Sequence, residues 1–88
     1  MLEKQRAEID VIDREIVALF ERRMQVVVDV ARIKKENGIA ILDANREKEV
    51  ITKVQSYFKD DTLKEELAEA YETLMKVSKD YQKKRMNH

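Results

Sequence analysis

The chain has 88 residues, with 18 basic and 18 acidic side chains, one glycine, no proline and no cysteine. This length suits a single domain over residues 1–88, and the absence of cysteine excludes disulfides and thiolate metal sites. The net charge of zero disfavours a nucleic-acid-binding protein, and apolar runs too short for a membrane span make the cytoplasm the expected location.

A first helix is predicted from Leu2 to about Glu36, because this stretch contains neither glycine nor proline. At about 1.5 Å per residue, it forms a rod roughly 50 Å long. A compact chain of this size has a radius of gyration of only about 12 Å, so the other residues cannot cover such a rod. We therefore expect a second copy of the protein to cover the remainder.

The packing stripe of this helix contains charged side chains among the apolar ones. Its apolar members are Leu2, Ile9, Ile12, Ile16, Leu19, Phe20, Val26, Val27, Val30 and Ile33. Arg6, Arg23 and Lys34 lie on the same stripe, where an unpaired buried cation costs on the order of several kcal/mol. These cations therefore require anions, and Asp13 is expected to be a structural counter-ion.

A second helix is predicted from Ala44 to about Phe58, with Asp43 as its N-cap. Gly38 can adopt the left-handed conformation that ends the first helix. Residues 39–42 are apolar, so we expect them to form a buried connection. The predicted packing positions of the second helix are Glu47, Val50, Ile51, Val54, Tyr57 and Phe58.

A third helix is predicted to follow a turn at residues 59–61 and to continue to about Arg85. Thr62 and Glu65 form a capping-box pattern, which predicts its start at Thr62. Its predicted packing stripe comprises Leu63, Leu67, Ala70, Tyr71, Leu74, Val77, Ser78, Tyr81 and Gln82.

One long helix and two shorter ones, each with a single stripe, cannot bury their apolar surface within one chain. Two chains with antiparallel long helices can bury it. We therefore expect an all-α protein that forms an intertwined homodimer with six helices.

Polar residues interrupt the packing stripes or begin the second helix. They are Arg6, Asp13, Arg23, Lys34, Asp43, Arg46, Glu47, Ser78 and Gln82. Because cations outnumber acids in this set, the pattern indicates a small anionic ligand held between helices. The alternative is a set of interhelical ion pairs that defines the register of a helical bundle.

Arg6 and Arg23 are seventeen residues apart, which is roughly 25 Å along one helix. They cannot bind the same small ligand within one chain. In an antiparallel dimer, Arg6 of one chain can approach Arg23 and Lys34 of the other, so the dimer would form two equivalent sites.

In the order of these polar residues along its helices, the chain resembles the all-helical chorismate mutase family. The positions that carry the resemblance are Arg6, Arg23 and Lys34 on the first helix, Asp43-Ala44-Asn45-Arg46-Glu47 at the start of the second, and Ser78-Lys79-Asp80-Tyr81-Gln82 on the third. They span nearly the whole chain. Periodicity selects Arg23 over Arg22, because Arg22 lies off the stripe.

The resemblance implies an isomerase of aromatic amino acid biosynthesis (the shikimate pathway) that converts chorismate to prephenate by a Claisen rearrangement. This reaction is unimolecular and requires no cofactor and no metal. Chorismate, a dicarboxylate, is then the small-molecule partner. Because no dehydratase or dehydrogenase segment is visible, the chain looks like a free-standing mutase.

The resemblance also implies four catalytic residues. Lys34 and Gln82 would donate hydrogen bonds to the ether oxygen, where negative charge develops. Arg23 would bind a carboxylate, and Glu47 would accept a hydrogen bond from the ring hydroxyl.

Other residues are implied to bind the substrate with these four. Arg6 of the partner subunit would bind a carboxylate, and Ser78 would contact one. The backbone of Asp43 would assist Glu47, and Arg46 would steady the site.

Two alternative functions remain open from the sequence. An isochorismate pyruvate lyase has the same fold and similar cations, but the complete Asp-x-x-Arg-Glu motif favours the mutase. A non-catalytic helical dimerisation module would place aliphatic residues at positions 23, 78 and 82, and this chain has polar residues there.

Overall fold

The computed structural model describes residues 1–86, which are all-helical as the sequence predicts. Helix α1 comprises Glu3–Glu36, α2 comprises Ala44–Ser56 and α3 comprises Lys64–Met86, with a 3-10 turn at Asp61–Leu63. His88, the single histidine, lies outside the described residues. Over the described range, no helix combines the length and the apolar character needed to cross a membrane.

Helix α1 determines the elongated shape of the chain. It has 34 residues, and the molecule extends 54 Å along its longest axis. Helix α3 packs against both α1 and α2, so it holds the other two helices together.

The buried core is small and lies along α3. Its apolar members are Ala31 on α1, Val54 on α2 and Met75 on α3. Ser78 and Gln82, both polar, are also buried on α3. A core of this size leaves much of α1 uncovered.

Most of the predicted packing stripe of α1 has no partner within the chain. Its exposed apolar residues are Leu2, Ile9, Ile12, Ile16, Leu19, Phe20, Val26, Val30 and Ile33. Among the apolar residues of the stripe, Val27 alone is half-buried. A continuous apolar patch of this kind marks an interaction surface.

The connection between α1 and α2 is not the buried segment that the sequence suggested. Gly38 has a φ of 66° and ends α1, as predicted. However, Ile39 and Leu42 are both more than half exposed, and Ile41 alone among residues 39–42 is half-buried. Because α1 and α2 both pack on α3, the segment joining them runs along the surface of the single chain.

Helix α2 begins as predicted and ends two residues earlier than predicted. The Asp43 carboxylate accepts a hydrogen bond of 3.0 Å from the backbone N–H of Arg46, which caps the helix. Tyr57 was predicted to pack, but it follows the last helical residue and is 73% exposed.

The start of α3 differs from the prediction. Asp60 Oδ1 accepts hydrogen bonds from the Thr62 hydroxyl at 2.6 Å and from the Thr62 backbone N–H at 3.0 Å. The bond from the hydroxyl, and to a smaller extent the bond from the backbone N–H, hold the pKa of Asp60 below its usual range. The predicted capping box of Thr62 and Glu65 is therefore wrong, since Thr62 precedes α3 and its hydroxyl bonds Asp60.

The predicted packing stripe of α3 also changes. Leu63 and Val77 are exposed in the single chain, whereas Met75, which the prediction omitted, is buried. Met75 lies three and seven positions before Ser78 and Gln82, so it shares their face of the helix.

Candidate functional site

A polar cleft of about 130 Å³ opens where the end of α1, the start of α2 and the second half of α3 meet. Its lining residues are Lys34, Ile41, Asp43, Arg46, Glu47, Met75, Ser78, Lys79 and Gln82. Six of these were predicted from the sequence as site residues, namely Lys34, Asp43, Arg46, Glu47, Ser78 and Gln82.

Helix α1 brings two cations to this cleft. Arg23 reaches its edge, where the guanidinium Nη1 donates a 2.6 Å hydrogen bond to Ser78 Oγ. Lys34 Nζ donates to the backbone carbonyl of Ile41 at 2.9 Å, which holds the ammonium group at the cleft wall. As periodicity predicts, Arg23 faces α3 while Arg22 is exposed.

Helix α3 supplies two buried polar side chains one turn apart. Ser78 is 7% exposed and its hydroxyl donates to the Leu74 carbonyl at 2.8 Å. Gln82 is 6% exposed and its Nε2 donates to the Val27 carbonyl at 3.2 Å. This bond uses one N–H of the amide, and the second N–H remains for a ligand.

The first turns of α2 supply the acids. The Asp43 carboxylate caps the helix, whereas Glu47 Oε1 lies 2.9 Å from Lys79 Nζ on α3. The guanidinium of Arg46 lies 3.7 Å from the Glu49 carboxylate on the solvent side. Glu47 is therefore the acid whose charged group is fixed within the cleft.

Arg6 lies outside this cleft. It is exposed near the start of α1, roughly 25 Å along the helix from Arg23. A single chain thus brings seven of the eight predicted residues to one place, and Arg6 stands apart from them.

Lys79 is the charged lining residue that the sequence analysis missed. It lies inside the Ser78 to Gln82 motif, four positions after Met75 and three before Gln82. This helical spacing places Lys79 on the face that lines the cleft. The same spacing is the signal by which the sequence could have identified Lys79.

The balance of charge around the cleft is positive. Lys34, Arg46 and Lys79 line it and Arg23 reaches its edge, against the acids Asp43 and Glu47. Such a set of fixed donors suits a small ligand that carries two negative charges. Within residues 1–86, no group of three His, Cys, Asp or Glu side chains is placed to hold a metal ion.

A larger cavity of about 760 Å³ lies between α1 and α3. Apolar side chains such as Phe20, Met24 and Val77 line it, and its acidic residues Glu21 and Asp29 are exposed. Because it lacks buried polar groups that face one another, the smaller cleft is the better candidate for a specific site.

Comparison with known proteins points to one family. Residues 5–83 match the model of the family described as chorismate mutase type II. The chain is 33% identical over 79 residues to the chorismate mutase of Methanocaldococcus jannaschii, which covers 89% of this chain and 80% of that protein.

Two longer proteins are also similar. The chain is 36% identical over 80 residues to the bifunctional chorismate mutase/prephenate dehydratase of Buchnera aphidicola, covering 90% of this chain and 21% of that protein. It is 40% identical over 42 residues to the T-protein of Haemophilus influenzae, covering 48% of this chain and 11% of that protein. The chain therefore spans most of one relative and a small part of two others.

Proposed function

This chain belongs to the chorismate mutase type II family, and from that premise we propose that it rearranges chorismate to prephenate in the cleft between its three helices. The family is one of isomerases in the aromatic amino acid pathway, and membership in it confirms the resemblance seen in the sequence. The single observation that carries the proposal is the meeting of six predicted residues around one cleft. Two of the relatives carry chorismate mutase in their names, which favours this reaction over the lyase and the dimerisation module.

Binding would supply the first part of catalysis. Chorismate has two carboxylates and must adopt a compact chair-like shape before its bonds exchange. Arg23 would bind one carboxylate with its planar fork, beside the hydroxyl of Ser78. Holding the substrate in this shape lowers the entropic part of the barrier.

Stabilisation of charge would supply the second part. As the C–O bond breaks, negative charge grows on the ether oxygen, so donors aimed there bind the transition state more strongly than the substrate. Lys34 and Gln82 are our candidates for these donors. The bonds of Lys34 to Ile41 and of Gln82 to Val27 support the proposal, because they orient both groups without a ligand.

The start of α2 would bind the ring hydroxyl. Glu47 would accept a hydrogen bond from that hydroxyl, with the backbone of Asp43 assisting. Arg46 would add positive potential at the entrance, since its guanidinium is more than half exposed. Together, these residues at the start of α2 would orient the ring relative to the carboxylates.

We further propose that the functional unit is a homodimer in which the partner subunit's Arg6 completes each site. The uncovered apolar stripe of α1 supports this assembly, because one chain leaves it in water. Arg6 is too far from Arg23 in its own chain to bind the same ligand. We also propose that residues 1–88 form a single domain and that the protein is cytoplasmic.

An assay of the purified chain with chorismate tests this function. We expect NMR to identify prephenate as the product, with little turnover after Arg23→Ala and near-normal turnover after Arg22→Ala. Arg22 is a matched control, because it is the exposed neighbour with the same charge. No prephenate from the folded chain, or equal loss in both variants, would contradict the proposal, and pyruvate release from isochorismate would indicate the lyase.

A further inference from the structure

Across residues 1–86, one salt bridge joins two different helices, and it lies in the cleft. Lys79 Nζ on α3 is 2.9 Å from Glu47 Oε1 on α2, and the two side chains are 28% and 30% exposed. The other salt bridges in that range link residues two to four positions apart and are more exposed. Exposed pairs of that kind contribute little to stability, whereas the pair in the cleft is partly shielded from water.

The pair also separates two cavities. Both side chains line the polar cleft, and both line a groove of about 430 Å³ between α2 and α3. The charged groups that line these cavities around Glu47 are Lys34, Asp43, Arg46 and Lys79 in the cleft, and Lys48 and Glu72 in the groove. A carboxylate among so many charges needs a fixed contact to hold one orientation.

The geometry of the contact supplies that orientation. Lys79 Nζ lies against Oε1 of Glu47, so Oε2 is outside this ion pair and can accept a hydrogen bond from a ligand. The ammonium group reaches Glu47 from α3, the helix that also carries Ser78 and Gln82. The acid of α2 is thereby fixed relative to the donors of α3.

We propose that Lys79 is a positioning residue that orients the Glu47 carboxylate to accept the ring hydroxyl of the substrate. This inference rests on the function proposed for the cleft. The hydroxyl takes no part in bond exchange, so its hydrogen bond is equally strong in the substrate and in the transition state. Loss of such uniform binding raises KM and leaves kcat nearly unchanged.

Steady-state kinetics of the full chain with chorismate test the proposal. We expect Lys79→Met to raise KM about tenfold, as weakening a hydrogen bond to a charged group does. We expect kcat to stay within about threefold of the unmodified chain. Lys79→Leu is a second variant without a donor and with the same expected result, and it serves if Lys79→Met folds poorly.

Lys76→Met is the matched control. It removes the same charge from the same helix, but Lys76 is 73% exposed and pairs with Asp80 one turn away. We expect its KM to equal that of the unmodified chain. Equal KM values for Lys79→Met and Lys76→Met would overturn the proposal, and so would a fall in kcat without a rise in KM.

A double-mutant cycle with Glu47→Gln separates positioning from direct contact. If Lys79 acts through Glu47, adding Lys79→Met to Glu47→Gln leaves KM within about twofold of the KM of Glu47→Gln alone. If the two effects multiply, Lys79 acts on the substrate by itself and the positioning role is wrong. A lower melting temperature with unchanged KM would show that the pair only stabilises the fold, and this result would also overturn the proposal.

The same experiment distinguishes failure of this inference from failure of the proposed function. An unmodified folded chain that does not convert chorismate would refute the function and the role of Glu47 with it. An active chain with independent effects at positions 47 and 79 would refute the role of Lys79 alone.

Discussion

Arg23 on α1 and Ser78 on α3 lie fifty-five positions apart in sequence and are joined by a hydrogen bond of 2.6 Å. The Ser78 hydroxyl in turn donates to the Leu74 carbonyl, so the guanidinium of Arg23 is anchored to the backbone of α3. The same helix carries Gln82 on the next turn. A cation and an amide donor are thus held in a fixed relation before a ligand binds, and donors arranged in advance need little reorganisation when charge develops.

The ammonium group of Lys34 is expected to be essential for turnover. Replacement by alanine removes a charged donor from the proposed ether-oxygen site and should lower kcat about 100-fold or more. Circular dichroism should show a folded helical protein. Lys35→Ala is the control, because Lys35 is the exposed neighbour. Near-normal turnover of Lys34→Ala would rule out its assigned role.

Gln82→Glu is expected to make activity strongly dependent on pH. Burial and the facing Val27 carbonyl favour the neutral form of the new carboxyl, and that form alone can donate a hydrogen bond. Activity should therefore be highest at acidic pH and fall as the carboxyl ionises. A pH series of kcat/KM for both proteins is the measurement. A profile parallel to that of the unmodified chain would argue against an ether-oxygen contact.

Mixing two inactive variants is expected to restore activity. In a hybrid of Arg6→Ala and Arg23→Ala chains, one of the two sites keeps both arginines. Random exchange of subunits should therefore recover about a quarter of the unmodified activity, since half the dimers are hybrids with one intact site each. Activity assays after mixing, with mass spectrometry to verify exchange, test this. Exchange without recovery would contradict a shared site.

Asp60 is expected to make stability depend on pH. Hydrogen bonds from Thr62 hold the pKa of Asp60 below its usual range. This contribution to stability is therefore present above the pKa of the unfolded chain, about 4, and is lost as pH falls through the lower folded value. Asp60→Asn should melt at a lower temperature than the unmodified chain near neutral pH, and the difference should vanish in acid.

Thermal unfolding followed by circular dichroism over a pH series measures this effect. Asp61→Asn is the control, because Asp61 does not accept these bonds and forms an exposed ion pair with Lys64, a kind of pair that contributes little to stability. A difference in melting temperature that does not change with pH would show that ionisation of Asp60 has no part in the cap.

The sequence by itself determined the three helices and most of the polar side chains that line the cleft. Gly38 and Asp43 act through local backbone rules, so the end of α1 and the start of α2 were predictable from one residue each. Helical periodicity also assigned Arg23 rather than Arg22 to the face that meets α3. These features depend on neighbours within about one turn, which a sequence displays directly.

The tertiary structure decided which groups meet. Tyr57 and Ile39 look like packing residues, but their exposure depends on which surfaces the other helices cover. The Glu47–Lys79 pair depends on how closely α2 approaches α3. Such contacts join residues distant in sequence, so their geometry follows from the packing of whole helices and not from any local pattern.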